Sequence, residues 1–299
     1  MTSFPPLTQK EIVDEIIELT GLPSDLVERK VAQEFRSPNS LILEAADQKI
    51  DSFVYNEKME AFYKETDIWI FSLAVEFSRW PRRRMFENVQ KRFARYLQNL
   101  KDFNGKIRVL MLGDGIGSDT IALFNLYGDQ AEFYYLDVPG SKTFDFAVKR
   151  FKKYSAYPKI LIEFDNIPKN FFDMVICLEV LEHLPDPLQS IHQIAEFLKS
   201  EGCALVSECF LGVTPQFPTH LKSNLRYAGR TPFLFLSQGL CLTYFCTHPL
   251  ILFKPMEFLK KSSINSWDRL RVYLNPIVLL YYIYVRCRIA VQRWLSITP

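Results

Sequence analysis

Apolar positions recur at helical spacing through residues 8–104. Thr8-Gln9-Lys10-Glu11 has the form of a capping box, Ile12, Ile16, Ile17 and Leu19 follow it, and Gly21 and Pro23 close the turn. A second short helix is predicted over Asp25–Phe35. The same pattern continues over Leu41–Tyr63 and Ile68–Leu100, with Pro81 breaking the last stretch. The period then changes. Lys106–Leu112, Glu132–Leu136, Lys159–Ile162, Phe172–Leu178 and Cys203–Ser207 are short apolar runs, and helix-length segments (Asp119–Tyr127, Lys142–Tyr154 and Pro187–Leu198) lie between most of them. Strands alternating with helices predict an α/β fold with a mostly parallel sheet. Nearly continuous apolar strands predict helices on both of its faces.

Two later stretches are long and apolar. Thr231–Phe253 carries no charged residue, but Pro232, Gln238, Gly239, His248 and Pro249 interrupt it. It reads as a helix, a turn and two strands, LCLTYF and LILF. Val272–Val285 is uncharged for 14 residues, short of the roughly 20 that a spanning helix needs. Asn275–Leu295 interleaves Ile, Val, Leu and Tyr with Arg286, Arg288 and Arg293. It predicts a C-terminal helix that docks on the core or lies in a membrane interface.

The first strand runs into Gly113-Asp114-Gly115-Ile116-Gly117 and then a helix. Glycines there let the backbone turn tightly and approach a ligand. The spacing is G-x-G-x-G; a nicotinamide-type G-x-G-x-x-G would need its third glycine at Ser118. Asp137 closes the second strand, where a carboxylate can accept hydrogen bonds from both hydroxyls of a ribose.

VLMLGDGIG, YYLDVPG and FDMVICLEVLEHLPDP, in this order, resemble the class I S-adenosylmethionine-dependent methyltransferases of the small-molecule branch, over about residues 105–254. The resemblance implies a Rossmann-like seven-stranded, mostly parallel sheet with helices on both faces. LCLTYF and LILF would form its last hairpin. It divides the chain into a helical N-terminal lid or accessory region (1–104), a cofactor-binding core (105–254) and a basic, apolar C-terminal helical extension (255–299). It implies S-adenosyl-L-methionine as cofactor, cradled by Gly113, Asp114, Gly115 and Gly117. Asp137 would hold the ribose hydroxyls and Asp165 the adenine amino group. Asn166 and Ile167 would flank the ring, and Cys177 and Leu178 would line the cofactor's backbone side. Two positions depart from the pattern: Met111 stands where an acid is usual, and Asp114 where a small residue or Cys is common.

Methyl transfer from a sulfonium mainly requires alignment, and a base only where the acceptor must lose a proton. Glu179, Glu182 and His183 follow the fourth strand. His220 lies after the fifth, in the polar segment Pro218-Thr219-His220-Leu221-Lys222-Ser223-Asn224. His183 and His220 are the candidate catalytic bases for O-methylation of a small-molecule acceptor, lipid-like or anionic. His192 and His248 read as ordinary helix and turn residues. The rival expectation is a cofactor-binding but non-catalytic partner protein, prompted by Met111.

Charge refines this picture only locally. The net charge is +2, so the overall field does not announce a nucleic-acid partner. Residues 1–60 hold twelve acids and six bases, while residues 79–101 hold eight bases against Glu87 alone. That basic stretch reads either as a solvated helix face or as a lid helix offering arginine to an anionic acceptor or lipid. The six cysteines contain no CxxC pair and read as free thiols of a reducing, cytoplasmic environment. Cys241, Cys246 and His248 lack zinc-type spacing. Glu179, Glu182 and His183 carry donor groups for a divalent ion, but no metal is expected. The N-terminus has no basic region followed by an apolar one, so no signal peptide is expected. Association with a membrane surface through the C-terminal helix stays open, as does the oligomeric state.

Overall fold

A computed structural model describes residues 5, 7–100, 105–164, 166–247 and 254–297, with side chains described as far as residue 291. Five helices open the chain: α1 (Gln9–Thr20), α2 (Ser24–Arg36), α3 (Ser40–Asp47), α4 (Glu57–Glu65) and α5 (Ile68–Ser78). The capping box forms as its residue types dictate. Thr8 Oγ1 accepts the Glu11 N–H, Glu11 accepts the Thr8 N–H at 3.0 Å, and Gly21 ends α1 at φ +70°. Helix α6 (Trp80–Asn99) starts with Pro81 in its first turn, where a missing N–H costs nothing. Proline thus opens a new helix here rather than kinking an old one.

Strands β1 (Ile107–Leu112), β2 (Ala131–Leu136), β3 (Lys159–Leu161), β4 (Phe172–Leu178), β5 (Leu198–Ser207), β6 (Leu240–Phe245) and β7 (Met256–Lys260) form one sheet in the order β3-β2-β1-β4-β5-β7-β6. The first five are parallel, and β7 runs antiparallel to both β5 and β6. The order reverses between β1 and β4, which places a crevice at the carboxyl ends of these strands. LCLTYF is β6. The second strand of the hairpin, expected at residues 250–253, is β7 at Met256–Lys260, and 248–253 lie outside the described residues. The sheet therefore continues past residue 254.

Helices α7 (Ser118–Tyr127) and α8 (Lys142–Lys153) connect the first strands, and α9 (Pro187–Phe197) and α10 (Thr231–Ser237) the later ones. One sheet face packs Val109, Phe133, Ile176 and Leu205 against α7 and against Phe86, Val89 and Phe93 of α6. The other packs Leu110, Val175, Ala204 and Val206 against α9, α10 and α12 (Pro276–Ile297). Helix α6 is thus a wall of the sheet, although it lies inside the segment expected to be a lid. Its arginines are structural as well. Arg79 donates to the Glu34 carbonyl, Arg82 pairs with Asp119, and Arg92 pairs with Glu257 at 2.6 Å while stacking on Tyr244. Neither the solvated face nor the substrate-binding lid describes these three.

Helices α1–α5 form a separate cap. Ile12, Ile16, Val27, Val31, Phe71 and Val75 share one apolar cluster with Ile116 of the glycine loop and Phe146 of α8. Arg150 of α8, 1% exposed, ties the cap to the sheet. It pairs with Glu15 at 3.1 Å and donates to the Ile116 carbonyl at 2.7 Å and to Ser118 Oγ at 2.9 Å.

Candidate active site

At the end of β1 all three loop glycines take left-handed backbone, with φ +73° at Gly113, +55° at Gly115 and +74° at Gly117. A side chain at any of them would be strained, and each is also closely covered. A Cβ on Gly113 would lie 2.5 Å from Val180, one on Gly115 2.5 Å from Leu73 of α5, and one on Gly117 2.5 Å from Phe151 of α8. Asp137, half-buried at the end of β2, accepts the Gly115 N–H at 2.7 Å on one oxygen and the Val138 N–H at 2.8 Å on the other. Burial raises its pKa against these two bonds. A carboxylate oxygen accepts more than one hydrogen bond, so both retain capacity for a ribose hydroxyl.

Asp114 faces elsewhere. Its carboxylate accepts the N–H groups of Asp119 (3.2 Å) and Thr120 (2.7 Å) and the Thr120 hydroxyl (2.6 Å), so it caps α7. Burial and the neighbouring Asp119 push its pKa up to about 7. Its side chain, expected in the cofactor cradle, is taken up by the helix start. Cys177 is fully buried in the core facing α9, with its main chain in register between β1 and β5, while Leu178 is partly buried on the opposite face. Asn166 is exposed and donates to Glu163, and Ile167 is packed into the core instead of lying free beside a ring. Asp165 lies outside the described residues.

The two histidines meet. Beyond β4 the chain passes Glu179, at φ +56°, into a 3₁₀ turn over Leu181–His183. The His183 and His220 ring centroids are 4.7 Å apart, edge to face. The segment carrying His220 is no solvated connector. Pro218, Thr219 and His220 are buried, and the loop between α3 and α4 pairs with them: Phe53 N–H donates to the Pro218 carbonyl and Lys222 N–H to that of Phe53, each at 2.9 Å. Leu221 N–H donates to the Glu182 carbonyl at 3.1 Å.

Several residues of this site gave no signal in the sequence. Tyr63 Oη of α4 lies 2.9 Å from His183 Nδ1, and Trp69 of α5 stacks on Tyr63 at 5.3 Å. The buried Asn224 amide donates to the carbonyls of Glu182 (3.1 Å) and Leu184 (2.8 Å) and so holds the turn. Only a polar residue in an otherwise apolar helical stripe would have marked Tyr63, and nothing local marks Asn224.

Burial dominates the electrostatics. It lowers the pKa of His183 to about 4, and together with His183 it lowers that of His220 to about 2. His220, one of the two candidate bases, is therefore the poorer proton acceptor of the pair. Burial, with Glu208 among the neighbours, raises Glu182 to about 8, and burial with Glu182 raises Glu179 well above the carboxylate range.

The family model described as a methyltransferase domain matches residues 110–204, about a third of the chain, from β1 through β5. The resemblance to class I S-adenosylmethionine-dependent methyltransferases holds over this segment, and such a domain implies S-adenosylmethionine as cofactor. No curated protein sequence matches the chain. Among solved structures, the CurJ carbon methyltransferase is 15% identical, covering 86% of this chain and 69% of that one, with a TM-score of 0.47. Magnesium protoporphyrin IX methyltransferase from Synechocystis PCC 6803, solved with bound S-adenosylmethionine, is 15% identical, covering 86% and 99%, with a TM-score of 0.44. An S-adenosylmethionine-dependent methyltransferase from Aquifex aeolicus is 15% identical, covering 55% and 88%, with a TM-score of 0.43. These likenesses say nothing about the acceptor.

Proposed function

We propose that this chain transfers the methyl group of S-adenosylmethionine to a hydroxyl of a small, lipid-like acceptor. The observation that carries this reading is the left-handed glycine loop joined to Asp137 at the strand-order reversal, inside the segment matched as a methyltransferase domain. When bound, the cofactor supplies an electrophilic methyl on a sulfonium. The chain's part is then to hold and align. The glycines add no side chain of their own over the loop, although Val180 covers Gly113 and Leu73 covers Gly115, and Asp137 accepts the ribose hydroxyls. Leu73 lies across Gly115 and must swing aside, which a flexible leucine tip does at little cost.

The acceptor would sit against the cluster that Tyr63 and Trp69 of the cap form with His183 at the strand end. His183 contacts Tyr63 Oη and the Thr219 carbonyl, the latter at 3.3 Å, through Nδ1. A carbonyl only accepts, so the tautomer that satisfies both contacts carries its proton on Nδ1 and leaves Nε2 basic. His183 Nε2 is thus the proton acceptor for the hydroxyl. Arg79, Arg82 and Arg92 pair within the fold, so an anionic acceptor would have to be held by other groups.

A lipid-like acceptor fits the surface of the C-terminal helices. Helix α11 (Ser266–Tyr273) and α12 expose Trp267 (73%), Leu270, Tyr273, Leu274, Leu280 (68%), Ile283 and Tyr284 beside the exposed Arg269, Arg271 and Arg288. Val278, Val285 and Ile289 of α12 face the core. Among the described residues no single helix is long and apolar enough to cross a membrane, and α11 with α12 form only a bent pair. An apolar face with arginines on its flank suits the interface of an anionic bilayer.

Calorimetry with S-adenosylmethionine tests the cofactor, and a metabolite screen with the isotopically labelled compound tests the transfer. Asp137→Ala should weaken binding by about 1.5–3 kcal/mol, the loss of hydrogen bonds to a charged group. His183→Ala should lower turnover about 10²-fold or more at unchanged cofactor affinity. Binding without turnover on any acceptor would replace this reading by that of a non-catalytic cofactor-binding partner.

A further inference from the structure

Glu182, His183 and His220 each offer a ligand atom, and the three atoms lie within 4.8 Å of one another. Glu182 is 1% and His220 5% exposed. Glu182 Oε1 accepts the Cys209 N–H at 3.1 Å, but Oε2, buried, has no hydrogen-bond partner, and neither has His220 Nδ1. Groups of this kind lose water on folding and need something in return. No lysine or arginine is paired with Glu182 among the described residues.

We propose that Glu182, His183 and His220 form a divalent transition-metal site, with one carboxylate oxygen and two imidazole nitrogens as ligands. The donor set is borderline, neither all-oxygen nor thiolate, which suits Zn²⁺ and its first-row neighbours over Mg²⁺ or Ca²⁺. The surroundings serve such a site. His183 Nδ1 is committed to Tyr63 Oη and the Thr219 carbonyl, so Nε2 is the nitrogen left for a metal; with the metal on, that lone pair no longer accepts a proton, and the metal would acidify the hydroxyl in its place. Asn224 braces the turn that carries both Glu182 and His183. Three protein ligands leave an open position, through which a bound hydroxyl or water would become more acidic. Metal binding itself does not depend on methyl transfer; the two are measured separately.

The test uses the full chain, stripped with chelator, loaded with ZnCl₂ and desalted, with metal counted by mass spectrometry. One zinc per chain is expected, together with a rise in melting temperature on adding ZnCl₂. Glu182→Gln and His220→Ala should each weaken zinc binding at least ~100-fold, and Tyr63→Phe, which only positions His183, about 10-fold. His192→Ala, on an exposed helix face, should change nothing. Loading with Co²⁺ should give visible d–d bands that His220→Ala removes. Circular dichroism checks that the variants fold, and Tyr63→Phe keeps the test alive if the ligand variants do not. The proposal is overturned if the wild-type chain retains no zinc, or if folded Glu182→Gln and His220→Ala retain it undiminished. S-adenosylmethionine affinity, measured in parallel, reports on the cofactor reading alone.

Discussion

Asp114 illustrates how one side chain can look functional in sequence and be structural in the fold. Its place between two loop glycines suggested contact with a ligand, whereas its carboxylate caps α7 beside the Arg82–Asp119 pair. Its pKa in the folded chain, about 7, is above that of an unfolded aspartate. The stabilising contribution is therefore complete below the unfolded value, near pH 4, and is lost as pH rises through about 7. Urea midpoints at about pH 5 and pH 8 should show this fall, and Asp114→Asn, which cannot ionise, should make it smaller, Glu179 and Glu182 accounting for the remainder. Equal slopes for the two proteins would remove Asp114 as the cause. Gly115 adds a related lesson. A substitution there strains the backbone at φ +55° and meets Leu73, so Gly115→Val perturbs the fold as well as any ligand site.

At the scale of elements, the five parallel strands and their helices were legible to within a residue or two for most boundaries, because apolar runs and caps are local signals. The long apparent helix at Leu41–Tyr63 was not, since it is α3, a loop and α4, with Asn56 accepting the Met59 N–H to start α4. That loop proved part of the site, through Phe53 and the Pro218 segment. The joint between the cap and the sheet rests on Arg150, which links α1, the glycine loop and α7 through buried polar contacts. Arg150→Met should destabilise the chain by roughly 3–5 kcal/mol, the usual cost of leaving one partner of a buried pair charged and alone. Denaturant unfolding measures this, and a double variant with Glu15→Leu should recover much of the loss.

For the whole molecule, the proposed bilayer contact makes a prediction that neither site tests. The chain should sediment with vesicles containing anionic phospholipid and less with neutral ones. Leu280→Glu with Ile283→Glu should abolish this while the melting temperature holds, because both side chains point to solvent. Concentration-dependent dimerisation without vesicle binding would assign the apolar face to a second copy of the chain instead. The sequence by itself determined the five parallel strands, most helices, the glycine loop and Asp137, since periodicity, capping residues and a motif at the end of a strand depend only on near neighbours along the chain. Tertiary structure alone decided that α6 is a wall of the sheet, that its arginines pair internally, and that α12 buries one apolar face and exposes the other. It also brought Tyr63, Trp69, His183, His220 and Asn224 together from four segments and left the histidines neutral. Burial and long-range contact set charge state and partnership, and neither is encoded in the spacing of residues along the chain.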